Sequence, residues 1–451
     1  MTAGAGTGLV ATAVTPIDTA AQIEGETPPR ATTGWRPIRS RGASGVSGAN
    51  LITVEEHLAH VLADAHPLAP ELVPVDMAYG RVLASDVVCV SPSPPFDNSA
   101  MDGYAVRRAD LLAPGAAFPV RLPVEGEAAA GSAPLRPLRP GTAARIMTGA
   151  AVPDGADAVV PVERTLEARW TAERVTLAGV PGPGANIRRR GEDLAVGETV
   201  VRAGTLMSPY DVAAAIAAGA ASVHVRSRPR VAVITTGDEL RRAGTELPQG
   251  AIHDANGPLV EGLAIAAGAV VVGRRRVGDG AGALDRALTE TFEASPDVIV
   301  LTGGVGPGAH DPVRRLDLAF ASVAMQPGKP QAFGRIGGCA VFGLPGNPVA
   351  AAVSFQAFVL PLLRTLHGLP AEPETEDAVA EERWTSSPGR RQYMPVVSRR
   401  VNGTLHVRPA TERGSGSHLI GRLARADGYA VVPEEVAEIA AGDHVTVMRR
   451  A

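Results

Sequence analysis

A chain of 451 residues, 45% hydrophobic and 20% charged, is long enough for several globular domains, because single cores stop growing well below this length. Its formal net charge of -4 excludes a general nucleic-acid binder, so any anionic ligand must be held by a local cationic pocket. Two cysteines, Cys89 and Cys339, exclude a disulfide framework and a cysteine-based zinc site; both lie in apolar runs and read as buried thiols.

Residues 1–50 are rich in Gly, Ala, Thr, Ser and Pro without periodicity, and are expected to form a disordered extension. Order begins at Thr53, where Thr53 and Glu56 make a capping box and Leu58, Val61 and Leu62 follow at helical spacing. Residues 74–90 are expected to be extended. From about 106 to 205, short apolar runs such as Ala143 to Met147 and Ala158 to Val162 alternate with Pro and Gly, the texture of a β-rich module. Ser208-Pro209 then opens a helix, serine at the cap and proline at the first helical position.

At Arg230 the pattern changes. Val231 to Thr236 is a β-branched run expected of a strand buried on both faces. Helix-like Leu259 to Ala267, strand-like Ala269 to Val272, a helix near Ala283 to Phe292 and strand-like Val298 to Thr302 follow. This alternation predicts a doubly wound α/β domain with a parallel sheet, closing on a strand at Cys339 to Phe342 and a long helix from Asn347 to about Leu366. Residues 370–382, rich in Pro and Glu, are expected to be a linker. Beyond 383 the chain is β again, with Asn402-Gly403 a strong hairpin signal in a small barrel or sandwich. The domains expected are 51–228, 229–370 and 375–451. No apolar segment is expected to reach the roughly 20 residues that span a bilayer, and no basic region precedes a leucine-rich stretch, so a cytoplasmic location without membrane association is expected.

Five segments carry the candidate chemistry. Pro95 to Ala105 sets two carboxylates and an amide in a turn-rich stretch with an aromatic and a methionine. Asp238-Glu239 stand where the first α/β strand ends, the edge at which open α/β sheets bind ligands; adjacent carboxylates there suit magnesium or a ribose hydroxyl, although taken alone a capped loop is the better reading. Gly303-Gly304-Val305-Gly306-Pro307-Gly308 suits an anion nest, with Asp311 just beyond, and is neither a Walker loop nor a Rossmann fingerprint. Asn347 and Pro348 suit the cap and first position of the long helix, whose N-terminus favours an oxyanion, and Lys329 can add a full charge. Arg188, Arg189 and Arg190 beside Glu192 and Asp193 are at least as well read as a solvated ion network.

In this order the segments Phe96-Asp97-Asn98-Ser99-Ala100-Met101-Asp102-Gly103-Tyr104-Ala105, Arg145 to Ala150, Arg190 to Asp193, Thr236 to Leu240, Gly303-Gly304-Val305, Pro327-Gly328-Lys329-Pro330, Leu344-Pro345-Gly346-Asn347-Pro348 and Gly414 to His418 resemble the MoeA-type molybdopterin molybdenumtransferases, the family of the gephyrin and plant Cnx E domains. The resemblance runs from about residue 51 to the C-terminus. The first segment and Leu-Pro-Gly-Asn-Pro are its specific parts; the α/β domain alone is shared with MogA-type and CinA-type proteins. It implies a central MogA-like α/β domain, an N-terminal mixed module with a β-rich subdomain inserted, and a small C-terminal β-barrel. It implies insertion of molybdate into adenylated molybdopterin with release of AMP, assisted by magnesium, in a homodimer whose cleft is completed by the partner's N-terminal module. The molybdopterin adenylyltransferase and apo-molybdoenzymes are implied as further contacts.

By motif match the resemblance implies catalytic positions at Asp97, Thr148, Glu239, Asp279 and Asp311, with Asp279 and Asp311 toward magnesium or the pterin phosphate. It implies substrate or anion contacts at Ser99, Gly303, Gly304, Lys329, Pro345, Asn347 and Pro348. Three departures stand out: Gln326 where many relatives carry a second lysine, and Gly306 and Ala350 where they carry serines. Loss of one lysine removes about 1 to 4 kcal/mol of attraction at contact distance, depending on local dielectric. Weaker molybdate binding, or compensation by an arginine such as Arg391, is therefore expected, and a preference for tungstate stays open. Two other classes compete with the transferase: a carrier paralogue that binds cofactor without turnover, and a gephyrin-like scaffold.

Overall fold

The computed structural model describes residues 51–112, 118–170, 173–306, 311–411, 416 and 418–450. The extension expected at 1–50 lies outside them.

The first helix, Val54–Leu62, starts as its sequence dictates: the Thr53 hydroxyl accepts from the Glu56 N–H and the Glu56 carboxylate accepts from the Thr53 N–H. Its inward face, Val54, His57 and Val61, packs into the same core as the long helix near the end of the α/β domain. Residues 74–90 are less extended than expected. A 3-10 turn, Val75–Met77, and the two-residue strand Val87–Val88 are joined by turns, because Gly80 takes a positive φ and Ala78 caps back on Val75.

Two structures follow in the N-terminal module. A helix, Pro209–Ala217, with Ser208 and Asp211 in a reciprocal cap, packs on the antiparallel pair Pro70–Pro74 and Ser222–Arg226 through Val75, Val212, Ala215 and Val225. A five-stranded sheet is inserted between them, ordered Ala158–Pro161, Gly103–Val106, Ala143–Ile146, Val120–Ala128, Arg174–Leu177. Gly103 is obligatory there, since a Cβ would lie 2.2 Å from the Val160 carbonyl oxygen of the neighbouring strand.

The α/β sheet has the order Val270–Val277, Arg230–Thr236, Val298–Thr302, Cys339–Leu344, Pro330–Ile336, Ala319–Ser322. The first four strands are parallel, and helices Asn256–Ala266 and Ala283–Glu293 pack on opposite faces. The last two run antiparallel, which the alternation of apolar runs did not reveal. The long helix is not uniform. It runs Pro348–Ser354, widens to one π turn at Phe355–Val359, and continues as Leu360–His367. Contrary to the sequence expectation, Pro348–His367 is long and apolar enough to cross a membrane, but 83% of its most apolar window is buried inside the protein. It is apolar because it is surrounded by the sheet, the first helix and the C-terminal domain.

The C-terminal domain is a closed barrel of five strands, Thr375–Ala380, Arg391–Val401, Thr404–Pro409, Gly428–Val432 and His444–Arg449. The expected linker at 370–382 is thus partly a barrel strand: Asp377 and Val379 pair with Thr446 and His444. Asn402 (φ 50) and Gly403 (φ 87) make the tight hairpin turn, since both central residues need positive φ. The barrel is tied to the α/β domain by a parallel pairing of Met325–Gln326 with Arg391 and Gln392.

Candidate functional site

The polar groups of the Asp97 to Asp102 turn are engaged within their own module. Asp97 accepts from the Arg190 N–H at 2.8 Å and from the Arg189 guanidinium at 2.6 Å, and these bonds, the backbone one first, hold its carboxyl below the usual range. The basic run beside it is therefore, in part, the internal partner of Asp97. The Ser99 hydroxyl is buried and donates to the Met101 carbonyl at 2.5 Å, within the turn. Thr148 is held through both its N–H (2.7 Å) and its hydroxyl (2.9 Å) by Asp102, whose carboxyl is lowered by those two bonds. Asp102 is the partner that reading positions one at a time missed; its signal was the second carboxylate of the same motif.

At the carboxyl edge of the parallel sheet, Asp238 and Asp279 bond reciprocally through backbone and side chain: the Asp279 N–H donates to Asp238 Oδ1 at 3.0 Å and the Asp238 N–H to Asp279 Oδ2 at 3.3 Å. The Glu239 carboxylate lies over Gly237, where a Cβ would meet its oxygens at 2.5 Å. Asp311 precedes the 3-10 turn Pro312–Arg315 and its carboxylate lies beside Gly306. Among the described residues no three His, Cys, Asp or Glu side chains form a metal-holding group. Residues 307–310, including Gly308 of the expected nest, lie outside the described chain.

Gly303 and Gly304 both have positive φ, and the Gly303 N–H donates to the Leu344 carbonyl at 3.1 Å. Its reason for being glycine is close approach: a Cβ would stand 2.6 Å from the Thr236 carbonyl oxygen. Asn256, buried and unremarked in the sequence, donates to the Gly346 carbonyl at 2.7 Å and so fixes the Leu344 to Pro348 turn. Pro348 takes the first helical position as expected. Asn347 stands at the cap, yet its side chain makes no capping bond to the helix; its backbone carbonyl accepts from Ala351 instead.

Lys329, Pro345, Asn347 and Ala350 converge on one cavity of about 630 Å³ between the α/β domain and the barrel. The barrel contributes Thr385, Ser386, Ser387, Arg390, Gln392 and, from the late motif, Gly416 and His418; Gly414, Ser415 and Ser417 lie outside the described residues. Three polar atoms in this wall, Gln326 Oε1, Gln392 Oε1 and Ser386 Oγ, are buried without a hydrogen-bond partner. The compensating arginine expected at Arg391 is otherwise engaged. Arg391 pairs with Glu55 and, at 3.1 Å, with Glu434, and these carboxylates fix it between the first helix and the barrel. The neighbouring Arg390 is the arginine that lines the cavity. The parallel register, Met325 opposite Arg391 and Gln326 opposite Gln392, decides this and is invisible in sequence.

Family models match the chain in succession: the MoeA N-terminal region (domain I and II) at residues 52–219, a probable molybdopterin binding domain at 232–365, and the MoeA C-terminal region (domain IV) at 377–449. Molybdopterin molybdenumtransferase 2 of Mycobacterium tuberculosis (strain ATCC 25618 / H37Rv) is 39% identical over 409 residues, covering 88% of this chain and 98% of the relative. The chain belongs to the MoeA family of molybdopterin molybdenumtransferases. The molybdopterin molybdenumtransferase of Haemophilus influenzae (strain ATCC 51907 / DSM 11121 / KW20 / Rd) is 32% identical over 84% of this chain and 94% of its own length. The crystal structure of the molybdopterin biosynthesis MoeA protein from Pyrococcus horikosii superposes with a TM-score of 0.75 at 31% identity, covering 89% of this chain and all of that one. In this family's terms the central domain is MogA-like, and the N-terminal module and barrel flank it.

Proposed function

We propose that this chain inserts molybdate into adenylated molybdopterin, cleaving the phosphoanhydride and releasing AMP, with the oxyanion held in the cavity between Lys329 and Arg390. The observation that carries this reading is that cavity, where Lys329 of the α/β domain and Arg390 of the barrel both line the wall together with the helix start at Asn347. A pocket lined by two cationic side chains suits a small anion, since charge-assisted hydrogen bonds are the strong ones.

Glu239, Asp279 and Asp311 follow the carboxyl ends of the sheet or its loops, where an α/β fold takes its larger ligand. Magnesium there fits only in one form. The described residues offer no all-protein cage, but magnesium is commonly held by one or two carboxylates together with substrate phosphates. Asp279 and Asp311 are the side chains assigned to it, and the ion would supply charge neutralisation on the phosphate oxygens. Asp97 and Thr148, held at their own module, are assigned to the same reaction from the partner subunit of a homodimer. Leu72, Met77, Tyr79, Leu206 and Tyr210 of that module are exposed apolar side chains that the second copy would cover. A cytoplasmic site of action and division of the chain at 51–228, 229–370 and 375–451 belong to the same reading.

The test is a turnover assay with adenylated molybdopterin, magnesium and molybdate, following AMP release and activation of a cofactor-free molybdoenzyme. AMP release with activation is expected, and Asp311→Ala should lose it; wild-type turnover by that variant would remove Asp311 from the mechanism. Gln326 and Ala350, both at the cavity, favour a second reading, a carrier that binds without turnover. Tight ligand binding with no AMP would select it.

A further inference from the structure

The Lys329 ammonium sits on a flexible stem, so its usefulness to an oxyanion depends on how firmly the backbone at Gly328 and Lys329 is placed. Gly328 has φ +113, and a Cβ there would come within 3.0 Å of both Met325 Cε and Ser354 Oγ. The loop is therefore pressed against the last residue of the helix Pro348–Ser354. One buried side chain joins the two. Gln331, only 2% exposed, donates from Nε2 to the Gly328 carbonyl at 2.6 Å and to the fully buried Ser354 hydroxyl at 2.6 Å. That same helix begins, one to two turns earlier, at the Asn347 and Ala350 wall of the cavity.

We propose that Gln331 is a positioning residue for the oxyanion site: by binding Gly328 and Ser354 together it fixes the Lys329 loop relative to the helix that forms the facing wall. This rests on the reading that the cavity takes the oxyanion. Gln331 does not line the cavity, so its influence on a ligand passes through the backbone of Gly328. A role in general packing would move every ligand and the melting temperature together, whereas a positioning role separates them.

The experiment measures molybdate and adenylated molybdopterin affinities separately, with thermal melts, for full-length wild type, Gln331→Met, Ser354→Ala and Lys329→Ala. Gln331→Met keeps the side-chain length and loses both bonds. It is expected to weaken molybdate about tenfold, the factor that roughly 1.4 kcal/mol makes, with adenylated molybdopterin affinity within about twofold of wild type. Ser354→Ala, which leaves the Gly328 bond, should shift molybdate affinity in the same direction by less, and it carries the test if Gln331→Met does not fold. Tungstate as a second probe should weaken in parallel, because the loop and not the metal is displaced. If Lys329→Ala abolishes molybdate binding while Gln331→Met and Ser354→Ala leave it unchanged, or weaken both ligands equally, Gln331 is packing alone and the proposal fails. If Lys329→Ala itself leaves molybdate binding intact, the oxyanion reading fails independently of Gln331.

Discussion

The Asp97 to Asp102 turn and the Lys329 cavity carry equally distinctive sequence motifs, yet their polar groups are in opposite conditions. In the turn, Asp97, Ser99, Asp102 and Thr148 are bonded inside one module. At the cavity, Lys329 and Arg390 line the wall from two domains and Gln326, Gln392 and Ser386 keep buried atoms without partners. A saturated motif builds and aims a surface; the unsaturated wall is where we place the ligand. Lack of a partner does not suffice, however. His57 Nε2 and both side-chain polar atoms of Gln356 are also buried and unpaired, but they belong to the core beneath the long helix and do not line the cavity.

The largest effect that could break this contrast is at Lys329. Lys329→Ala should weaken molybdate by about 10- to 100-fold, the worth of one charge-assisted bond, with the fold intact by circular dichroism. Retained affinity in calorimetry would show that the cavity is not the anion site.

His57 sharpens the distinction between an unpaired core group and a ligand site. Burial lowers its pKa to about 4, and His367 behaves alike for the same reason. Both are neutral when folded, while the unfolded chain takes up protons near the ordinary value of about 6.5. Stability is therefore undiminished above that value, declines as pH falls from about 6.5 toward 4, and levels off below. The loss is at most about 3 kcal/mol per histidine. His57→Phe, kept against Phe358 (ring centroids 4.6 Å apart in the native edge-on pair), should flatten part of this acid slope in denaturant titrations from pH 7 to 4.5. An unchanged slope would mean the histidine is not the group that titrates.

Ser99→Ala should act on the saturated side of the comparison. Loss of its bond to Met101 should lower the melting temperature by a few degrees, in keeping with about 1 kcal/mol, with molybdate affinity unchanged in a direct titration. A selective loss of molybdate affinity with no change in melting would place Ser99 at a ligand after all.

The smallest effect is at Gln326. Gln326→Lys adds a second charge to the cavity wall and should tighten molybdate severalfold, about 1 kcal/mol in a partly solvated site. Affinity that stays level or falls would show that Arg390 already supplies the missing charge.

Much of the architecture was legible because its causes are local. The caps at Thr53 and Ser208, proline at the start of Pro348–His367, the Asn402-Gly403 turn and the β-branched run of Val231 to Thr236 each follow from a side chain acting on backbone within a few residues. The family motifs around Lys329 and the Asn347 turn are likewise local runs of sequence. What stayed hidden depends on contacts between distant segments. The antiparallel edge of the sheet, the strand within residues 370–382, the capture of the Gly303 N–H by Leu344 and the pairing of Thr148 with Asp102 all join groups far apart in the chain. The choice of Arg390 over Arg391 is the sharpest case. Residue type and position are nearly the same, and only the register of two strands, with Glu55 and Glu434 waiting for one guanidinium, turns the other toward the cavity. By itself the sequence determined the elements, the family and the chemical groups on offer, because those depend on short-range backbone preferences and composition. Tertiary structure alone decided which groups were already satisfied and which were left without a partner, because a hydrogen bond or ion pair between segments exists only once packing has brought them together.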